Sequence, residues 1–246
     1  MIDKLKTIFW FIRKGYAIQI ASILKRGRNE NTRVESTDWC KANEIGVNDV
    51  FEKLKIPQLS FKDQEGEYFE YALSKEKECP IQMGGRGAID ILYSMVKNHE
   101  YKNTLETGVA YGWSSLAILA ALPEDGILLS NDMPYPKLNN EDFVGIVVPE
   151  KLMSKWKLHR FPDVIGLPKI FKSVSSLDFI HYDSDKSYQG RMWSQPFLWD
   201  KLNTGGYFIS DDINDNIAFK DFCEKIGKKP LIFKYDSKYV GIIKKD

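Results

Sequence analysis

The stretch from Asn103 to Leu122, Asn-Thr-Leu-Glu-Thr-Gly-Val-Ala-Tyr-Gly-Trp-Ser-Ser-Leu-Ala-Ile-Leu-Ala-Ala-Leu, constrains the fold more than any other part of the chain. Asn103 to Thr107 reads as a short buried strand. Gly108 and Gly112 bracket a tight turn, and Ser114 to Leu122 reads as a helix with Ser114 or Ser115 near its N-cap. A strand, a glycine turn and a fresh helix N-terminus expose outward-pointing backbone N–H groups that a ligand can approach closely. The spacing is not the dinucleotide fingerprint G-x-G-x-x-G. It is acid-x-Gly-x-x-x-Gly-x-Ser, with Glu106 on the strand end. An acid there repels a nearby pyrophosphate and suits a ligand with a cationic amino-acid end.

A chain of 246 residues fits one α/β domain with additions. A net charge of +1 gives no global field to attract nucleic acid. Cys40, Cys79 and Cys223 are far apart and form no C-x-x-C pair, which argues against a disulfide framework or a zinc site and suits a reducing cytosol. No window of 18 apolar residues exists to span a membrane.

Leu5, Ile8, Phe9, Ile12, Tyr16, Ile20 and Ile23 recur at helical spacing in a basic segment, residues 1–26. Such a helix either lies peripherally on an anionic membrane surface or packs on the domain or on a second copy of the chain, as a homo-oligomer. Residues 26–38 read as a polar linker, and 45–56 and 66–77 as short helices of a cap. Residues 1–80 thus form an N-terminal helical extension and cap, and 81–246 the main domain. Met83-Gly84-Gly-Arg-Gly87 leads into a helix over 87–98. Gly126 to Asp132 reads as a second strand, ending in an acid that is either placed to grip ribose hydroxyls or a turn aspartate ahead of Pro134. Residues 134–152 read as an insertion, and Trp156 to His159 as a third strand. Asp163 reads as a turn or helix-cap residue.

Ser176-Leu-Asp-Phe-Ile-His-Tyr-Asp183 is a near-continuous apolar run ending in an acid, and Gly205-Gly206-Tyr-Phe-Ile-Ser-Asp211-Asp212 is another. In a parallel sheet the C-terminal ends of neighbouring strands share one rim, where ligands bind. Three carboxylates gathered there need neutralising, which a hard divalent cation such as Mg²⁺ does with oxygen ligands. The alternative is that each acid caps a helix or turn separately. Lys186 is either a base with a depressed pKa or a lysine paired to Asp183 or Asp185. His181, at an internal strand position, reads as a hydrogen-bonded core residue. Tyr188, Trp193 and Trp199 either wall an acceptor pocket or pack in the core. Residues 230–235 and 239–243 form a closing hairpin.

Glu106-Thr-Gly108-Val-Ala-Tyr-Gly112-Trp-Ser114 resembles motif I of class I S-adenosylmethionine-dependent methyltransferases, in the form used by catechol and caffeoyl-CoA O-methyltransferases. Asp183-Ser-Asp-Lys186 is similar to their Asp-x-x-Lys stretch, whose Asp binds metal and whose Lys, in the catechol enzymes, is the general base. Gly205-Gly206…Asp211-Asp212 matches their Gly-Gly…Asp-Asn in spacing. The paired acids look more like the macrocin-type sugar O-methyltransferases. The resemblance covers about residues 82–246 and implies a Rossmann-like, doubly wound, mostly parallel seven-stranded sheet ending in an antiparallel hairpin. It implies S-adenosylmethionine as cofactor, held by Met83, Gly84, Glu106, Thr107, Gly108, Gly112, Ser114, Ser115, Asp132, Asp163 and Asp183. It also implies Mg²⁺ or a similar cation on Asp183, Asp211 and Asp212, with Asp183 and Lys186 catalytic. The acceptor is then a hydroxyl of a small molecule or a glycan. A metal-independent N- or O-methyltransferase and a non-catalytic binding protein remain alternatives. An NAD-dependent oxidoreductase is disfavoured by the spacing and by Glu106.

Overall fold

Strands that are apolar on both sides must be covered on both faces, and this chain supplies helices for each. The computed structural model describes residues 32–134 and 139–246, with Phe9, Ile12 and Arg13. Helices α1 (Arg33–Asn43), α2 (Val47–Leu54), α3 (Phe61–Gln64), α4 (Gly66–Glu78) and α5 (Ile89–His99) precede strand β1 (Asn103–Thr107). Then follow α6 (Trp113–Ala121), β2 (Ile127–Asn131), a 3-10 turn (Glu150–Lys155), β3 (Trp156–His159), α7 (Asp163–Ile170) and β4 (Leu177–Tyr182). The chain ends with α8 (Tyr188–Lys201), β5 (Leu202–Ser210), α9 (Ala218–Ile226), β6 (Leu231–Tyr235) and β7 (Lys238–Lys244).

The seven strands form one sheet in the order β3-β2-β1-β4-β5-β7-β6. The first five are parallel, and β7 runs antiparallel to both β5 and β6. This is the doubly wound sheet and terminal hairpin that the sequence implies. Alternation along each strand divides the core. Phe179, Tyr207 and Ile209 pack with α2, α4, α5 and α6 on one face, while Leu105, Ile180 and Phe208 pack with α7, α8 and α9 on the other. The sheet order reverses between β1 and β4, so the crevice beyond their C-terminal ends is the switch point where ligands bind in such sheets.

Two local readings need correction. The segment expected to be a polar linker up to Asp38 enters helix α1 at Arg33. That helix buries Ser36 and Cys40 rather than an apolar stripe, so helical periodicity in hydrophobic residues is absent. The N-cap of α6 is Gly112, in the left-handed conformation (φ 96°), and neither Ser114 nor Ser115 caps it. Asp163, read as a turn or helix-cap residue, opens helix α7, which carries Pro168 inside it. The basic amphipathic run at 1–26, with its membrane and oligomer readings, lies outside the described residues apart from Phe9, Ile12 and Arg13. Among the described residues no helix is long and apolar enough to cross a membrane.

Helix α1 is tied to the rim of the sheet. The Ser36 hydroxyl, fully buried, faces the carbonyls of Ile213 (2.8 Å) and Asn216 (3.0 Å) just beyond β5. Ile45 N–H donates to the Ile232 carbonyl at 2.9 Å, and the Tyr239 hydroxyl to Glu44 at 2.9 Å. Ser36→Ala leaves two buried carbonyls without that donor and is expected to cost about 1–3 kcal/mol. A urea titration should show a lower midpoint with the slope unchanged. A midpoint equal to wild type would mean that α1 is not docked.

Candidate active site

At the switch point a cavity of about 430 Å³ opens between the β1 turn, the tips of β4 and β5, the loop before α5 and the β6–β7 turn. That is within the roughly 300–1,000 Å³ common for small-molecule sites. Its floor is the glycine turn. Gly108 has φ 82°, and a Cβ built on it falls 2.3 Å from the carbonyl oxygen of Asp183. Only glycine lets β1 pass the β4 tip this closely. Gly108 N–H donates to the Asn131 carbonyl (2.9 Å), and Asp183 N–H to the Thr107 carbonyl (2.9 Å).

The residues expected to hold a cofactor divide into two groups. Met83, Gly84, Gly108, Ser114, Asp132 and Asp183 line the cavity. Glu106, Thr107, Gly112, Ser115 and Asp163 stand behind its wall, where they brace it. Glu106 is fully buried, and Oε2 accepts the hydroxyls of Ser115 (2.5 Å) and Ser130 (3.1 Å). It faces the protein interior rather than the cationic end of a ligand. Gly112 packs on the segment after residue 139: Gly145 N–H reaches the Ala110 carbonyl (2.9 Å) and Val147 N–H that of Tyr111 (3.1 Å). Part of the apparent insertion therefore clamps the glycine turn from outside.

Asp132 Oδ1 accepts Val109 N–H at 3.0 Å, Arg160 Nη2 stands 3.6 Å from Oδ2, and burial raises its pKa. Asp163 accepts Asn131 Nδ2 (2.8 Å) and the Ser184 hydroxyl (2.5 Å), joining β2, α7 and the β4 tip. Burial pushes its carboxyl up to about 6. Met83 N–H donates to the Tyr111 hydroxyl at 3.1 Å, and that hydroxyl donates to the Ile81 carbonyl at 3.0 Å, which fixes the loop ahead of α5.

On the other side of the cavity the acids meet cations. The Lys186 ammonium bridges Asp183 Oδ1 and Asp212 Oδ2, and Lys238 Nζ lies 2.9 Å from Asp212 Oδ1. Asp212 reaches this position from a left-handed backbone (φ 52°), a strained choice for a non-glycine residue. Burial raises the Asp183 carboxyl despite Lys186. Burial also pushes Asp212 upward, but Lys186 and Lys238 outweigh it and leave the group below its ordinary value. For Lys186, burial works against the charge, yet Asp183 and Asp212 outweigh it and hold the ammonium above its usual range. The lysine paired to Asp183 is thus the arrangement seen here, with Asp212 as a second partner.

Asp211 turns the other way. Its Oδ2 lies 3.6 Å from His181 Nε2, and His181 Nδ1 lies 3.4 Å from Glu106 Oε1. Burial opposes charge on the imidazole, and the two carboxylates overcome it, pushing its pKa up to about 10. Among the described residues no three His, Cys, Asp or Glu side chains converge as a metal site. The expected trio is a pair: Asp183 and Asp212 converge on one cationic centre, the Lys186 ammonium. A pair of carboxylates with room for water and substrate is what Mg²⁺ commonly takes, so the donor set fits such an ion with two protein ligands.

Of the two readings for Tyr188, Trp193 and Trp199, pocket wall or packing, none of the three lines the cavity. Trp199 is in the core, Trp193 stacks on Phe197 at 5.2 Å, and Tyr188 donates to Asp221 at 2.7 Å. The wall is built instead by Arg86, Trp113, Asn140 and the turn Tyr235 to Lys238. Arg86 stacks 4.8 Å over the Trp113 ring, whose Nε1 donates to Glu76 at 2.9 Å. The Gly-Gly-Arg-Gly run pointed to this loop, whereas nothing in the sequence signalled the hairpin tip.

Residues 105–213 match a family described as a methyltransferase domain. The chain is 36% identical over 102 residues to caffeoyl-CoA O-methyltransferase 2 of Petunia hybrida, covering 39% of this chain and 40% of that one. It is 37% identical over 101 residues to the enzyme of the same name from Eucalyptus globulus, covering 39% of each. The matched region thus spans about two fifths of these curated relatives. Among solved structures, the O-methyltransferase TomG from Streptomyces achromogenes, in complex with SAM, aligns with a TM-score of 0.56 at 13% identity, covering 86% of this chain and 99% of that one. The O-methyltransferase from Bacillus cereus, in complex with SAH, aligns at 0.54 and 15% identity, covering 84% and 100%. The resemblance to the caffeoyl-CoA type of S-adenosylmethionine-dependent O-methyltransferase, in domain and in fold, is therefore borne out.

Asp163 gives a pH signature. Its folded pKa of about 6 lies above the ordinary 3.8, so the folded state holds this proton more tightly. The resulting penalty is absent at low pH, grows between about pH 4 and 6, and is fully present above that. Asp163→Asn is expected to gain in melting temperature relative to wild type as pH rises from 4.5 to 7.5. A difference that stays flat across that range would contradict the assignment.

Proposed function

We propose that the chain transfers the methyl group of S-adenosylmethionine to a hydroxyl oxygen of a small molecule or sugar. One observation carries the reading: a glycine turn built for close ligand approach and a carboxylate–ammonium cluster open into the same cavity, from strands held in fixed register. The solved relatives with SAM or SAH bound share this fold, and the caffeoyl-CoA relatives support oxygen as the acceptor atom.

In this reading the backbone of Gly108 to Ala110 lies against the cofactor. Asp132 accepts its ribose hydroxyls, and Met83, Gly84 and Ser114 contact its methionine end. Glu106, Thr107, Gly112, Ser115 and Asp163 hold these groups in place. The acceptor enters between the loop bearing Arg86 and the 235–238 turn, so that its hydroxyl meets Lys186 and Asp183. The sulfonium methyl, sulfur and acceptor oxygen must be in line, and fixing that geometry supplies several kcal/mol of the barrier. As the C–O bond forms and the C–S bond breaks, the ammonium of Lys186 stabilises negative charge on the oxygen. The Asp183 carboxylate, raised by burial, accepts the hydroxyl proton. The products are a methyl ether, a neutral thioether and a protonated Asp183.

A divalent cation is the second part of the proposal. With a cation bound, Asp183 and Asp212 would serve as ligands to Mg²⁺ or a similar ion, and its Lewis acidity, lowering the pKa of the acceptor hydroxyl, would take the place of proton acceptance by Asp183. Polar groups at the acceptor end, Asp236, Ser237 and Lys238, favour a hydroxylated acceptor such as a sugar over a bare aromatic ring.

Formation of S-adenosylhomocysteine with a panel of catechols, hydroxycinnamoyl thioesters and nucleotide sugars tests the activity. Asp183→Asn should lower kcat/KM by about 10²–10⁴-fold and leave S-adenosylmethionine affinity, measured by calorimetry, within a few-fold of wild type. Undiminished turnover in that variant would remove Asp183 from the chemistry, and absence of cofactor binding by wild type would remove the whole reading.

A further inference from the structure

The Lys186 side chain joins two strand tips through one ammonium group. Its neighbours fix the main chain at this point: Asn216 Nδ2 donates to the Lys186 carbonyl at 2.7 Å, and Ser187 caps α8 through Gly190 N–H at 3.0 Å. The side chain itself is freer, with 38% of its surface exposed. A four-carbon stem can swing its charge into solvent without moving the backbone. The carboxylates it leaves behind cannot do the same. Asp183 sits directly after β4, backed by Gly108, and Asp212 is set by its left-handed backbone next to β5.

We propose that Lys186 is a displaceable internal cation, whose ammonium occupies the position between Asp183 and Asp212 that a divalent cation would take, so that the two bind in competition. This rests on the cation site assigned under the proposed function. Two carboxylates facing one point repel each other unless a positive charge lies between them. The lysine supplies that charge and keeps the cluster assembled when no metal is bound. A dication brings two charges to the same point and frees the lysine toward the acceptor side of the cavity. Lys238, 60% exposed and within 2.9 Å of Asp212 Oδ1 and 3.1 Å of Oδ2, stays as the flanking cation in both states. Asp211 keeps its contact with His181 and takes no part in the exchange.

Mn²⁺ serves as the probe, with free ion followed by electron paramagnetic resonance of the full-length chain. Lys186→Met should bind Mn²⁺ at least threefold more tightly than wild type, and adding Asp183→Asn should abolish the gain. Lys186→Gln, which keeps a polar head, is the second variant should the methionine variant lose its melting transition. In wild type, chemical dimethylation of Lys186, read by mass spectrometry, should rise when saturating Mg²⁺ is added. A gain of less than threefold, a gain that survives Asp183→Asn, or Lys186 labelling unchanged by Mg²⁺ would each overturn the competition. Calorimetry with S-adenosylmethionine on the same samples separates the two levels. Loss of cofactor binding by wild type would count against the methyltransferase reading, whereas the Mn²⁺ comparison decides the role of Lys186.

Discussion

The tip of β1 passes the tip of β4 with no room for a side chain between them, and the site is built around that contact. At Gly108 even a methyl group would collide with the Asp183 carbonyl. The approach is held by the Asp183 N–H to Thr107 carbonyl bond and by the parallel register of Thr107 with Tyr182. The turn that would receive a cofactor and the acid that would face an acceptor thus lie at the ends of neighbouring strands, β1 and β4, of one sheet. Their separation is fixed by backbone geometry, which side-chain motion cannot relax.

Around this contact the protein buries more acid than an interior tolerates unaided, and it balances the charge locally. His181 lies between Glu106 and Asp211, Lys186 between Asp183 and Asp212, and Arg160 beside Asp132. His181 and Lys186 each serve acids from two different strand ends, so neutralisation also crosslinks the rim. Asp163 differs: hydrogen bonds from Asn131 and Ser184 hold it without a cation, and its pKa rises accordingly. It lies behind the cavity wall, where a neutral carboxyl can still organise three elements.

Much of this was legible in the sequence because strands buried on both faces leave continuous apolar runs. Leu177 to Tyr182 and the hairpin residues 231–244 were located to within a few residues, as was the glycine turn. Helix α1 was not, because the residues it buries are a serine and a cysteine whose partners lie about 180 positions away. The direction of Glu106 was also hidden. Strand period places it opposite Leu105, but only the docking of α6 and the β1–β2 register show that its partners are Ser115 and Ser130. Lys186 was read as either a base or a paired lysine, and the pairing with two carboxylates across strands depends on how β4 and β5 align. The hairpin tip enters the cavity because β7 inserts between β5 and β6, a matter of topology with no local signature.

That insertion separates two kinds of evolutionary freedom. The donor end rests on parallel strands whose positions are locked by neighbours on both sides. The acceptor end is closed by a two-residue connection, Asp236-Ser237, at the end of an antiparallel ribbon. Lengthening or recolouring that connection would alter which molecules fit while leaving the β5–β7 pairing and the glycine turn untouched. Under the proposed methyl transfer, a lineage could therefore explore new acceptors by changing a few residues at the margin of the sheet, without renegotiating the turn that would hold the methyl donor.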